Sequence, residues 1–331
     1  MEYPLIYKDK NADLQIIADK NIGIIGFGNQ GRAQALNLKD SGMNVFIGLR
    51  NGSDSKQKAE KEGLICHSIE KSILSCNIIS VLVPDQVMGE VYYKYLEPNL
   101  IAGQTLLFSH GYNVHYGVIE PPEYVNVILV APSGAGTELR KRYLDRKGIP
   151  GLFAVHQDYS GDAEKQVLAY CRAIGLTKSG VVKSTFKEET ETDLFGEQIL
   201  LTGCIPKIIQ SSYKVLLDSG YTPAVAWLVC YYEIKTIVEM FHSKGFQFMN
   251  SAISDTAEYG GITRGKRVID ENVESKMKKA LEEIQTGKFH TEWMKEHNEG
   301  YPLLEQLRKE EKEMPIEKIS QYMLKELFGE Q

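Results

Sequence analysis

The sequence predicts an α/β domain built on a doubly wound sheet, followed by an all-helical domain. Three observations predict it. A short apolar run, residues 21–25, leads into Gly26-Phe27-Gly28-Asn29-Gln30-Gly31 and then into a helical pattern carrying Ala33, Ala35, Leu36 and Leu38. Strand-like and helix-like segments then alternate, as they do where helices cover both faces of a sheet. Beyond Gly180 the strands fade and long helical patterns take over. The division falls at residue 182, giving domains 1–182 and 183–331.

The totals agree with two domains. A chain of 331 residues can bury a sizeable core. Its 43% hydrophobic and 25% charged content is ordinary for a soluble globular protein. A net charge of −6 argues against a general nucleic-acid binder, which carries a basic patch. No apolar run approaches the length of a membrane span. Residues 1–9 lack a basic segment followed by an apolar core, so no secretory signal and a cytoplasmic location are expected. Cys66, Cys76, Cys171, Cys204 and Cys230 form no Cys-x-x-Cys pair and read as reduced, mostly buried thiols.

The Gly-x-Gly-x-x-Gly between a strand and a helix marks a dinucleotide-binding (Rossmann) unit. Its glycines permit a tight turn and let backbone N–H groups approach a pyrophosphate at a helix N-terminus. The helix stops at Ser41-Gly42, and residues 44–49 form the next strand. Where a carboxylate would accept the ribose 2′-OH of NAD stands Arg50, followed by Asn51-Gly52-Ser53-Asp54-Ser55. A guanidinium and two hydroxyls suit a 2′-phosphate, which favours NADP. Asp54 would repel that phosphate if it pointed inward. Ser53 or Asp54 also suits the cap of a helix beginning near Ser55, and both roles can hold together. Further strands are expected at 78–83, 105–108, 125–130 and 152–155, with helices at 68–75, 87–95 and 163–174. Ligands of such sheets lie beyond the carboxyl ends of the strands, which brings residues 84–88, 109–111 and 131–136 to the site. His110 directly follows a strand and is flanked by small residues. It either faces a ligand or is satisfied within its own loop.

Residues 186–198 crowd six acidic or amide side chains into thirteen positions. On a helix Asp193 and Glu197 stand on one face. Two carboxylates there suit a hard divalent cation such as Mg²⁺, which takes oxygen ligands. The alternative is a solvated first turn in which acids meet the helix dipole. Helical patterns run through 188–202, 205–218, 223–243, 245–259, 271–286, 291–299 and 302–328. The first is apolar on most sides and must be buried, within a bundle or against another subunit.

Read together, these segments resemble the class I (short-chain) ketol-acid reductoisomerases. The resemblance is carried by residues 26–38, by Gly48-Leu49-Arg50 with Ser53 and Ser55, and by Val83-Pro84-Asp85. It continues through Ser109-His110-Gly111-Tyr112-Asn113-Val114-His115, Ala154-Val155-His156-Gln157-Asp158, residues 185–198 and residues 253–260. It holds in register from about Ile6 to about Tyr301. The resemblance implies NADPH, two Mg²⁺ ions and a 2-acetolactate-type substrate, a 2-hydroxy-2-alkyl-3-keto acid. An alkyl group migrates and hydride then reduces the ketone to a 2,3-dihydroxy acid, in valine and isoleucine biosynthesis. Residue by residue, Asp193 and Glu197 match one pair of metal ligands and Glu233 one member of the other. His110 matches the site histidine and Ser254 the substrate serine. Gly26, Phe27, Gly28, Asn29, Gln30, Gly31, Arg50, Ser53, Ser55, Asp85, Gln86, Val87, Met88 and Gly136 match the cofactor contacts. The helical domain is implied to be intertwined, of knotted type, in a homodimer or a multiple of it, with Glu233 donated across the interface.

Four positions depart from the family pattern. Val229 stands for the glutamate paired with Glu233, and Ser133 for a lysine. Cys204 replaces a glycine and Lys56 an aromatic. The first two sit in the reacting centre, where losing one charge-stabilising group typically costs a few kcal/mol. Three readings follow. The chain is a working ketol-acid reductoisomerase, which the extent of the match favours. Or it is an altered reductase that binds a single metal and reduces 2-keto acids. Or it is a non-catalytic paralogue.

Overall fold

The computed structural model describes residues 3–329. The chain forms two compact units, one through Thr192 and one from Asp193 onward.

Among the described residues the first unit holds a single sheet of nine strands. They are β1 (Ile6–Tyr7), β2 (Asn21–Ile25), β3 (Asn44–Leu49), β4 (Ile65–Ser68), β5 (Ile78–Val81), β6 (Thr105–Phe108), β7 (Asn126–Pro132), β8 (Gly151–Gln157) and β9 (Val181–Lys183). Their spatial order is β1-β9-β8-β7-β6-β5-β2-β3-β4. From β4 across to β7 all neighbours run parallel. β8 lies antiparallel to β7, β9 parallel to β8, and β1 antiparallel to β9. This is the doubly wound Rossmann arrangement that the motif predicts. Strand β2 pairs with β3 on one side and β5 on the other, so the chain reverses direction across the sheet there. A crevice opens at such a reversal.

Every residue of β5 and β6 is buried, as expected of strands covered on both faces. One face packs on helices Asn29–Asp40 and Ala163–Ala173 through Leu36, Leu38, Val167 and Tyr170. The other packs on helices Ile69–Ser75 and Asp85–Val91 through Ile69, Ile73 and Met88. The thiols are less buried than expected. Cys76 and Cys171 are buried, Cys66 and Cys230 are intermediate, and Cys204 is exposed.

The acidic stretch begins a helix, Phe186–Phe195. Phe186 is 4% exposed, with its ring edge-on to Phe108 at 6.2 Å. The first turns of this helix thereby belong to the first unit, whose limit at Thr192 falls beyond residue 182. Glu189, Thr190 and Glu191 are buried, whereas Glu188, Asp193 and Glu197 are exposed.

Among the described residues the second unit is all helical. Helix Ile205–Asp218 has the bounds its sequence pattern predicts. Elsewhere the long patterns are broken. The predicted 188–202 helix widens into a π-helix over Gly196–Cys204, and 223–243 contains a second over Leu228–Tyr232. The 245–259 pattern breaks before Asp255–Val268, where the Ser254 side chain accepts from the Ala257 N–H at 3.3 Å. The 302–328 pattern divides into Pro302–Lys312 and Pro315–Phe328. Met314, ahead of Pro315, is extended at ψ 136, because the proline ring disfavours the helical region in the residue before it. The core of this unit is small: Tyr213, Ala226, Trp227, Ile316 and Met323. The Trp227 Nε1–H donates to Ser320 Oγ at 2.8 Å.

Candidate active site

The crevice at the β2/β5 reversal is a cleft of about 470 Å³. Gly26 and Phe27 form one wall, Gly48, Leu49 and Arg50 another, and Val83, Pro84 and Val87 a third. Ser53 and Ser55 line it too, whereas Asp54 is exposed and outside its wall. Asp54 begins helix Ser55–Lys61 without a side-chain capping bond; Ser53 Oγ accepts from the Ser55 N–H at 3.4 Å. Sequence reasoning missed Glu90, Lys94 and Tyr95, which also line the cleft. Glu90 sits in helix Asp85–Val91, and Lys94 and Tyr95 in the π-helix Tyr92–Leu96 that continues it, where only the helix direction reveals them.

Gly26 turns the chain at φ 100, and a Cβ there would lie 2.6 Å from the Leu82 carbonyl oxygen. A Cβ on Gly136 would lie 2.1 Å from the Asn29 carbonyl oxygen. Glycine at 136 therefore lets helix Gly136–Leu144 close against the nucleotide loop. Gln30 joins the same two loops through its Nε2–H, which donates to the Gly134 carbonyl at 3.0 Å. Asp85 and Gln86 open helix Asp85–Val91, and the Asp85 carbonyl accepts from Asn113 Nδ2 at 3.2 Å. Met88 is 3% exposed and belongs to the core, while its neighbour Val87 faces the cleft.

His110 follows β6, as expected, and meets a residue that the sequence did not single out. Its Nδ1 lies 3.0 and 3.2 Å from the two carboxylate oxygens of Glu189. The Gly111 N–H donates to the same carboxylate at 2.7 Å. Glu189 is 3% exposed, and a buried carboxylate needs such partners. Facing a carboxylate that can only accept, Nδ1 is the ring nitrogen that donates its proton. One turn of helix before Asp193 was the available signal: 189, 193 and 197 share a four-residue spacing. A second pair lies beside it, His115 Nε2 at 3.4 Å from Glu191 Oε1. Burial pushes the His115 imidazole below its ordinary value, against the opposing pull of Glu191.

Asp193, Glu197, Glu233 and Ser254 belong to the second unit. Asp193 lies in the last turn of the α-helical part, Phe186–Phe195, and Glu197 inside the π stretch. Both are exposed. Glu233 directly follows the other π stretch, and its N–H bonds to the Leu228 carbonyl five residues back, at 3.1 Å. Val229 lies within that stretch at 47% exposure. The two π-helices of the second unit thus lie at or next to the positions where metal ligands are expected, while a third, Tyr92–Leu96, belongs to the first unit; such wide turns are frequent at functional sites. Ser133 is exposed in the loop after β7, its N–H bonded to the Pro150 carbonyl at 3.0 Å.

Comparison with known proteins places the chain in a family. Residues 16–180 match the family described as acetohydroxy acid isomeroreductase, NADPH-binding domain. Residues 186–328 match ketol-acid reductoisomerase, C-terminal domain. The chain belongs to the ketol-acid reductoisomerase family. It is 48% identical to the ketol-acid reductoisomerase (NADP(+)) of Methanocaldococcus jannaschii over 97% of each chain. It is 46% identical to that of Pyrobaculum aerophilum, over 98% of this chain and 99% of the relative. A solved NADH-preferring ketol-acid reductoisomerase from an uncultured archaeon superposes with a TM-score of 0.94 at 40% identity, covering all of both chains.

The cleft suits a dinucleotide phosphate, and the helices of the second unit carry carboxylates of the kind a divalent cation takes. The wall of the cleft offers a guanidinium and two hydroxyls for a phosphate, and Gly28 stands over open space with nothing within 4 Å of a Cβ built on it. Asp193, Glu197 and Glu233 offer the oxygen donors that Mg²⁺ takes.

Proposed function

We propose that this chain is a working NADPH- and Mg²⁺-dependent ketol-acid reductoisomerase. It takes 2-acetolactate-type substrates to 2,3-dihydroxy acids, on the route to branched-chain amino acids in the cytoplasm. The observation that carries the proposal is the buried Glu189 carboxylate, which orients His110 beside the nucleotide cleft and starts a row of three acids on one helix. Residues 1–182 serve the cofactor, and residues 183–331 serve metal, substrate and dimer.

Arg50, Ser53 and Ser55 hold the 2′-phosphate and so select NADPH. The backbone of residues 26–31 receives the pyrophosphate. Asp193, Glu197 and Glu233 would hold the metal through their carboxylates, and Val229 would add no ligand. When bound, Mg²⁺ and the nicotinamide supply Lewis acidity and hydride. His110 exchanges a proton with the substrate, while Glu189 keeps the ring in place. Ser254 contacts the substrate.

The second unit is proposed to pair with a second copy of this chain, which places Glu233 across the interface. Leu200 (55%), Leu201 (58%) and Val215 (63%) are exposed on its helices, and its own core is small. An apolar surface of this kind marks an interaction site.

The departures at Ser133 and Val229 support a second reading, a paralogue that reduces 2-keto acids or accompanies an active chain. NADPH oxidation with 2-acetolactate, with and without Mg²⁺, separates the two. Mg²⁺-dependent turnover is expected. Reduction of a simple 2-keto acid alone, without Mg²⁺, would overturn the first reading.

A further inference from the structure

Gln34 lies on the inner face of helix Asn29–Asp40 with no exposed surface at all. A fully buried amide needs partners, and this one joins three elements. Its Nε2 donates to Gln30 Oε1 at 3.3 Å and to Ser109 Oγ at 2.9 Å. Its Oε1 accepts from the Tyr170 hydroxyl at 2.9 Å. Tyr170 is itself fully buried, with its hydroxyl 3.4 Å from Ser80 Oγ.

The direction of these bonds is fixed from one end. The Gly134 carbonyl can only accept, so Gln30 must present its Nε2–H to it. Gln30 therefore presents Oε1 to Gln34, and Gln34 must answer with its own N–H groups. The second of these N–H groups reaches Ser109 Oγ, which accepts and must send its own proton elsewhere. A backbone carbonyl in the 131–136 loop thus sets the polarity of a chain that ends beside His110.

We propose that Gln34 is a positioning residue for the reaction. It holds Ser109 and His110 in register with the nucleotide loop 26–31 and transmits ordering of that loop to them. The coupling runs through one discrete bonded path, Gln30 to Gln34 to Ser109, and requires no movement of the sheet. It rests on the reading above only for its effect on turnover; the coupling itself needs nothing but a nucleotide in the cleft.

Hydrogen exchange reads the coupling directly. The probe is 2′-phospho-ADP-ribose, which occupies the cleft without a nicotinamide. In the wild type it slows exchange of residues 106–112 several-fold. In Gln34→Met, similar in volume but without the amide, that slowing disappears while Kd for the probe stays within about threefold. The kcat with NADPH and 2-acetolactate falls about 10- to 100-fold, with KM for NADPH little changed. Val167→Ala, a core truncation on helix Ala163–Ala173, lowers Tm but keeps both the protection and kcat. Should Gln34→Met fail to fold, Ser109→Ala cuts the same path from the other end and is expected to lose the protection too. Full protection of residues 106–112 in either variant overturns the proposal, and so does its absence in the wild type. A wild type inert toward 2-acetolactate defeats the proposed function alone, because the exchange result still decides this one.

Discussion

Replacing Glu189 with glutamine removes a charge without changing the volume of the side chain. The wild-type carboxylate, 3% exposed, takes the Gly111 N–H at 2.7 Å and His110 Nδ1 at 3.0 and 3.2 Å. A glutamine has one acceptor oxygen. If that oxygen keeps Gly111, its NH₂ faces Nδ1, which must then accept, and the ring proton moves to Nε2. The tautomer is inverted, and Nε2, now protonated, can no longer accept a proton. Hydrogen bonds to a charged group contribute about 1.5–3 kcal/mol and neutral ones about 0.5–1.5 kcal/mol, so stability should fall by about 1–2 kcal/mol. The catalytic loss is larger. Removing a correctly protonated general base costs about 10²- to 10⁴-fold, and the lower end, about 2.7 kcal/mol, is expected because the ring stays in place. KM for NADPH should not change, because Glu189 does not line the cleft. Steady-state NADPH oxidation with 2-acetolactate, together with a urea melt, measures both effects. A Glu189→Gln enzyme within about threefold of wild-type kcat would refute the orienting role of this carboxylate.

Other residues give further tests. Arg50→Glu should raise KM for NADPH by about 10- to 100-fold and leave KM for NADH nearly unchanged, since it removes a charged bond to the 2′-phosphate; equal effects on both cofactors would place that phosphate elsewhere. Trp227→Ala should destabilise the second unit by about 3–5 kcal/mol and is read by chemical denaturation; a loss below about 1 kcal/mol would show that Trp227 does not anchor this core. Burial lowers the folded pKa of His67, His115 and His290 below the ordinary imidazole value of about 6.5. The unfolded chain therefore binds protons first as pH falls, so stability is flat above about pH 6.5 and is lost below it. Melting temperatures between about pH 7.5 and about pH 5.5 should show this fall, and His115→Gln should reduce it; an unchanged Tm across that range would exclude the linkage.

The Rossmann half was legible because its signals are local. A glycine motif between strand and helix, and fully apolar runs such as 78–81 and 105–108, need no tertiary knowledge. Strands β1, β4 and β9 escaped because two to four residues carry too little periodicity, and they form only by pairing with neighbours distant in sequence. The π-helices were hidden for another reason. Their apolar spacing over 196–204 and 228–232 is nearly that of an α-helix, and widening to bonds five residues apart leaves no mark in composition. Breaks were half legible: Pro315 announces one, whereas the break at Ser254 rests on a cap that also reads as a mid-helix serine. At the site, His110 was readable from its place after a strand. Glu189 was not, because its burial comes from packing against a loop 78 residues earlier. Asp54 could not be placed from sequence either, and only the fold turns it out of the cleft wall.

The most direct test of the central claim follows NADPH oxidation with 2-acetolactate, with and without Mg²⁺, for the wild type beside the Ser133→Lys/Val229→Glu double variant. Mg²⁺-dependent formation of the 2,3-dihydroxy acid by the wild type, with little gain in the double variant, is the predicted result. A wild type inert toward 2-acetolactate, with activity appearing only in the double variant, would contradict it.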